Sequence, residues 1–202
     1  MVTPSLKQKV LRKLGFSLVE LLIVLSIFSI MTALLVANYR RFGNNVTLTN
    51  LVYEVALSIR EVQSFGLGVR SSGSGSTATQ FNQGYGFNIA NNSSYRVFAD
   101  EDASKTFNAA NPLDVTVRVY TLPTGNTISK KCGTLTVGGA YANIAGNLDI
   151  TFLRPDPAAV IRSGATDYKK ANICLQSANS RVKQIEVTNA GQISVADGCV
   201  CP

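Results

Sequence analysis

The sequence predicts an α+β protein in which one long N-terminal helix packs on an antiparallel β-sheet domain. Three observations carry that reading. The 22 residues from Phe16 to Ala37 hold no charge except Glu20. Apolar residues then recur at mostly three- and four-residue intervals as far as Phe65. Beyond the run Ser71-Ser72-Gly73-Ser74-Gly75-Ser76, the chain breaks into short segments of strand composition separated by turn residues.

As a helix, Phe16 to Ala37 would span about 33 Å, enough to cross a bilayer. A carboxylate at the centre of such a segment costs about 2.5–3.5 kcal/mol, and less near an end. Glu20 is therefore the first functional candidate. Lys7, Lys9, Arg12 and Lys13 supply four of the seven net positive charges, and residues 1–15 contain no acid. A basic flank of this kind is retained on the cytoplasmic side, so the expected topology is single-pass, N-in and C-out. An ordinary secretory signal has a shorter apolar run, and Leu35-Val36-Ala37 is a poor small-x-small cleavage site.

The second half of the helix is amphipathic. Val46, Leu48, Leu51, Val52, Val55, Ile59, Val62 and Phe65 form the apolar stripe, while Arg60, Glu61 and Gln63 fall elsewhere. The helix is expected from about Phe16 to Phe65, roughly 75 Å at 1.5 Å per residue. Its weak helix formers are Asn38, Gly43, Asn44 and Asn45. Gly66 and Gly68 end it. The chain thus divides into 1–15, a basic leader; 16–37, the membrane segment; 38–66, its amphipathic continuation; and 67–202, a β-rich domain outside the cytoplasm.

Strands are expected at Gly84 to Ile89, Tyr95 to Ala99, Val115 to Leu122, Thr134 to Val137, Leu148 to Leu153, Ile173 to Gln176, Val182 to Val187 and Gln192 to Val195. Alternation in Val115-Thr116-Val117-Arg118-Val119-Tyr120 puts Val115, Val117 and Val119 on one buried face. Asn189-Ala190-Gly191 joins the last two strands as a hairpin.

Gly15-Phe16-Ser17-Leu18-Val19-Glu20-Leu21-Leu22-Ile23-Val24-Leu25-Ser26-Ile27 resembles the processing site of type IV prepilins and of type II secretion pseudopilins. That resemblance implies a pilin-like fold and cleavage between Gly15 and Phe16 by a prepilin peptidase/methyltransferase. It implies N-methylation of Phe16 and a filament-assembly role for Glu20. The partners it implies are other pilin or pseudopilin subunits, an inner-membrane assembly platform, and membrane lipid before assembly. After cleavage the Phe16 ammonium of one subunit would offset the cost of a neighbour's Glu20 in an apolar filament core. The helix, the glycine-serine loop, the β domain and the final hairpin together resemble the GspH/FimT group of minor pseudopilins and minor pilins. The expected function is a structural subunit, minor more than major, of a secretion pseudopilus or a type IV pilus. No cofactor is expected.

Other constellations are weaker. Cys132, Cys174, Cys199 and Cys201 all follow the membrane segment, where an even count argues for disulfides. Direct Cys199–Cys201 closure would strain a very small ring, so each is expected to pair with Cys132 or Cys174. Zinc is disfavoured by the absence of histidine and of Cys-x-x-Cys spacing. Asp100, Asp102 and Ser104 open like a calcium loop, but Lys105 replaces the mid-loop glycine and Asn111 the closing glutamate; a solvated turn is the expectation. Lys169, Lys170, Arg181 and Lys183 could gather as a DNA contact of an uptake pilin, although Asp156, Asp167 and Glu186 are interspersed. An enzyme is not expected. The chain has no histidine, and Ser180-Arg181-Val182-Lys183 enters a strand rather than the helix a Ser-x-x-Lys nucleophile needs.

Overall fold

The computed structural model describes residues 15–68, 84–108 and 114–201. The leader bases Lys7, Lys9, Arg12 and Lys13, the run 71–76, and Asn111 lie outside the described residues. The helix α1 spans Leu18–Leu67, and the chain divides into two compact units, Met1–Arg41 and Phe42–Pro202.

In the first unit, every described side chain from Phe16 to Ala37 is exposed, and Leu18–Ala37 is long and apolar enough to cross a membrane. Two of its hydroxyls turn back on the helix. Ser26 Oγ donates to Ile23 O at 2.7 Å and Thr32 Oγ1 to Phe28 O at 2.8 Å, which leaves neither as an unsatisfied donor on an apolar surface.

In the second unit, α1 residues from Leu48 onward lie on an antiparallel sheet. Its strands are β1 Gly84–Ile89, β2 Ser94–Asp100, β3 Val115–Thr121, β4 Asn126–Leu135, β5 Tyr141–Asn143, β6 Leu148–Leu153, β7 Asp156–Ser163, β8 Thr166–Ser177, β9 Val182–Thr188 and β10 Ile193–Asp197. The order is β10-β9-β8-β7-β6-β1-β2-β3, with β4 pairing β5 and β8. This is the α+β architecture expected from the sequence. Leu48, Leu51, Val52, Val55, Ile59 and Val62 of α1 share one core with Tyr85, Phe87, Ile150, Phe152, Ile173 and Ile185 of the sheet. Val46 does not join them; it is exposed, and the buried stripe begins at Leu48.

Polar side chains lock the helix in place. Ser58 Oγ lies 3.1 Å from the Tyr95 hydroxyl inside the core. Gln63 Nε2 donates to Pro157 O at 3.2 Å and to Gly191 O at 3.1 Å, clipping the helix to the turn between β9 and β10. Gly191 takes φ +81°, and a Cβ there would stand 2.2 Å from Pro157 O, so both conformation and space require glycine. The opposite face of β1 is also covered. The Phe98 ring lies where a Cβ on Gly86 would be, 2.2 Å away, and Phe107 packs edge-on against it at 5.3 Å.

Several expectations about strands need correction. Val117 and Val119 are exposed, and only Val115 is half-buried. A β-bulge between Val97 and Phe98 of β2 inserts Val117 as an extra residue in β3 and reverses the alternation. Beyond it Tyr120 faces inward, stacked on Tyr95 at 4.8 Å. The strand expected at Thr134 to Val137 instead ends at Leu135 and begins at Asn126; Gly138 and Gly139, both at positive φ, make the turn that follows. Strand β7, whose start Pro155 and Pro157 bracket, and the short β5 were not expected, and β8 begins at Thr166 rather than at Ile173.

Candidate processing and assembly site

The site is built by the entry into α1. Leu21 N donates to Ser17 O at 3.1 Å, so Ser17 stands at the N-cap and Glu20 at the third helical position. Ser17-Leu18-Val19-Glu20 therefore has capping-box spacing, a local signal that the resemblance alone does not supply. An acid in the first turn also faces the positive end of the helix dipole. Phe16 is 77% exposed and Glu20 is exposed among Leu18, Val19, Leu21 and Leu22. Among the described residues Glu20 makes no ion pair. Chemically, the arrangement is a peptide bond accessible at Gly15–Phe16 and a carboxylate displayed on an apolar surface.

Residues 11–36 match the family model of the prokaryotic N-terminal methylation motif. No curated protein and no solved structure matches the chain. The chain carries the N-terminal signature of the prepilin class, that of type IV pilin-like and pseudopilin subunits. The signature, the apolar helix and the two disulfides described next fit a membrane-anchored pilin-like protein.

Of the three possible connectivities, the structure holds Cys132–Cys201 and Cys174–Cys199, which close segments separated by 69 and 25 residues. Cys132 and Cys174 are fully buried on β4 and β8, so both bridges pin the chain end to the sheet. Each contributes about 2–4 kcal/mol. Cys174, Cys199 and Cys201 bring their sulfurs within 4.8 Å of one another, yet no cysteine is free, and a bridged sulfur is not the thiolate a metal needs.

The acidic turn is solvated only in part: Asp102 and Asp114 are half-buried and Ala103 and Asn108 exposed. Asp100 is buried at the end of β2 and meets Asp102 and also Asp114, which the sequence pattern did not include. Their carboxylates serve backbone amides. Ser104 N donates to Asp100 Oδ1 at 3.0 Å and to Asp102 Oδ1 at 2.9 Å; Lys105 N donates to Asp100 Oδ2, and Asn108 N to Asp114 Oδ2. The Ser104 hydroxyl donates to Thr106 O rather than turning to the acids. Lys105 adopts φ +66°, the conformation for which a calcium loop keeps a glycine. Burial, helped by the neighbouring Asp102, pushes the Asp100 carboxyl up to about 7. Phe107 anchors the turn on the sheet, its N–H donating to Asp149 Oδ1 and Arg96 lying over its ring.

The four basic candidates are not brought together. Lys170 pairs with Glu186 at 2.8 Å and Lys183 with Asp197 at 2.6 Å. Lys170 lies opposite Thr188, whereas Lys183 lies opposite Leu175, so the two project from opposite faces and opposite ends of the β8–β9 ladder. Lys169 is exposed near Lys170, and Arg181 is exposed near Lys183.

Proposed function

We propose that the chain is a structural subunit of a type IV pilus or a type II secretion pseudopilus, anchored N-in and C-out until a prepilin peptidase cuts between Gly15 and Phe16. Phe16 is then N-methylated, and Glu20 pairs with the new amine of a neighbouring subunit as the helix enters the filament core. Segment 16–37 is the membrane and filament-core part, 38–66 the helical continuation, and 67–202 the domain displayed outside. The observation that carries the reading is the methylation-motif match over residues 11–36, ending inside a helix segment whose side chains are exposed all round. The minor role rests on the resemblance of helix, sheet and final hairpin to the GspH/FimT group. The split of Lys169, Lys170, Arg181 and Lys183 over two faces favours a filament part over a DNA receptor.

Mass spectrometry of the mature protein tests this. The expected N-terminus is methylated Phe16, and an intact leader in cells with active prepilin peptidase refutes the assignment. Low abundance in sheared filaments is the expected mark of a minor subunit.

A further inference from the structure

The two disulfides touch one another. Cys174 Sγ of one bridge lies 3.5 Å from Cys201 Sγ of the other, so the sulfurs are connected in the order Cys199, Cys174, Cys201, Cys132. A thiolate breaks a disulfide by attacking one of its sulfurs and releasing the other. Cys174, once released as a thiolate, is already beside a second disulfide.

The two ends of this series differ. Cys199 is half-buried between exposed Gly198 and Val200, whereas Cys132 is fully buried on β4. Cys201 Sγ is hemmed in by Cys174 Sγ and by Asn172 O at 3.9 Å. A thiol arriving from solvent therefore reaches Cys199 first. At the inner end the Tyr141 hydroxyl stands 3.2 Å from Cys132 Sγ, and because a bridged sulfur carries no proton, the hydroxyl is the donor. Asn172 Nδ2 donates to the same Tyr141 oxygen at 2.8 Å, which leaves the phenol proton for the sulfur. Burial holds the Tyr141 phenol above its ordinary value, so this proton stays on at neutral pH. A thiolate formed at Cys132 thus meets a donor.

We propose that the paired bridges are an exchange site that takes a low-molecular-weight thiol covalently at Cys199. The incoming thiolate attacks Cys199 Sγ; a new S–S bond forms there as Cys174–Cys199 breaks, and the electron pair leaves on Cys174 Sγ. Cys174 Sγ then attacks Cys201 Sγ. The Cys174–Cys201 bond forms as Cys132–Cys201 breaks, and the pair leaves on Cys132 Sγ beneath the Tyr141 hydroxyl. The proton that the thiol gave to solvent is matched by the one that Cys132 takes up. Two disulfides enter and two remain, so the step consumes no oxidant or reductant. A buried thiolate without a donor is costly, and passing the charge to Cys132 relieves that cost through a charge-assisted hydrogen bond. The new Cys174–Cys201 bridge keeps the chain end on the sheet while Cys199 carries the adduct. The site goes beyond the filament reading and stands or falls apart from it.

Glutathione is the probe. The full chain in detergent is incubated with it, quenched with acid, alkylated and cut with trypsin, which places Cys132, Cys174 and the Cys199/Cys201 pair on three different peptides. Fragmentation mass spectra then separate Cys199 from Cys201. The expected product has glutathione on Cys199, Cys174 joined to Cys201, and Cys132 alkylated. Glutathione on Cys199 with Cys174 alkylated and Cys132–Cys201 intact overturns the transfer, and glutathione on Cys201 or no adduct overturns the site. In denaturant the adduct should spread over all four cysteines; the native product set there would show that the folded geometry directs nothing. Tyr141→Phe should slow the appearance of alkylated Cys132 about tenfold while leaving the rate of glutathione uptake unchanged. Equal slowing of both steps, or of neither, overturns the donor role of Tyr141.

Discussion

The two halves of α1 share one helix and a similar stock of Leu, Val and Ile, but bury them differently. From Leu18 to Ala37 no residue is buried within the chain, while Leu48, Val52, Val55, Ile59 and Val62 are each at most 1% exposed. The difference is one of arrangement. In the second half apolar residues keep to a stripe, which one sheet can cover; in the first they surround the axis, and no single-sided partner can cover a full circumference. A helix that is apolar all round takes its partners from outside the chain, first lipid and then other helices.

The largest expected effect of breaking this contrast is at Glu20. Glu20→Ala should leave membrane insertion unchanged and cut incorporation into sheared filaments by tenfold or more, since loss of one member of a buried charge pair costs about 3–5 kcal/mol. Glu20→Gln sharpens the result. It keeps a residue that suits the capping-box spacing with Ser17 but removes the charge. Wild-type incorporation of the glutamine variant would make Glu20 a local cap rather than an inter-subunit partner.

Next in size is a paired truncation. Ile59→Ala should destabilise the sheet domain by about 2–5 kcal/mol, because Ile59 is fully buried. Ile27→Ala, on the half-exposed surface of the first half, should change the same unfolding transition by less than about 0.5 kcal/mol. Denaturant unfolding of the full chain in detergent compares them directly. Equal effects would mean that the first half has a partner within the chain.

What could be read from the sequence follows the range of the signals. The Gly15–Glu20 motif is contiguous, the helical stripe repeats over many turns, and the hairpin from Val182 to Val195 has its turn residues in line, so each was legible. The phase of β3 was not, because one extra residue opposite β2 inverts every later side chain and nothing in Val115 to Tyr120 marks it. Strand β4 was hidden by Lys130 and Lys131 in its middle. Lys131 is nearly buried, and its Nζ donates to Gly146 O at 2.7 Å and to Ile89 O, acceptors supplied by distant segments. Asp114 stands twelve residues after Asp102 in the sequence, and no local pattern links it to Asp100 and Asp102.

The smallest expected effect tests how specifically the second half is seated. Ser58 and Tyr95 are the polar contact between α1 and β2, with Ser58 Oγ also donating to Glu54 O at 3.0 Å. Ser58→Ala removes a partner from a buried phenol and should cost about 1 kcal/mol. Ser26→Ala, in the exposed half, should cost the domain nothing measurable. Burial pushes the Tyr95 phenol up to about 12, against an ordinary value near 10, while the Ser58 bond pulls it down. Above pH 10 the unfolded chain loses this proton first, so the folded state binds more protons and stability must fall as pH rises from 10 toward 12. Without Ser58 the phenol titrates still higher, and the alkaline fall in melting temperature should continue to higher pH than in the wild type. Phenolate absorbance alongside melting curves measures both. A Tyr95 that titrates near 10 in the folded protein would show that water reaches the helix–sheet seam, and would erase the contrast between the two halves at that point.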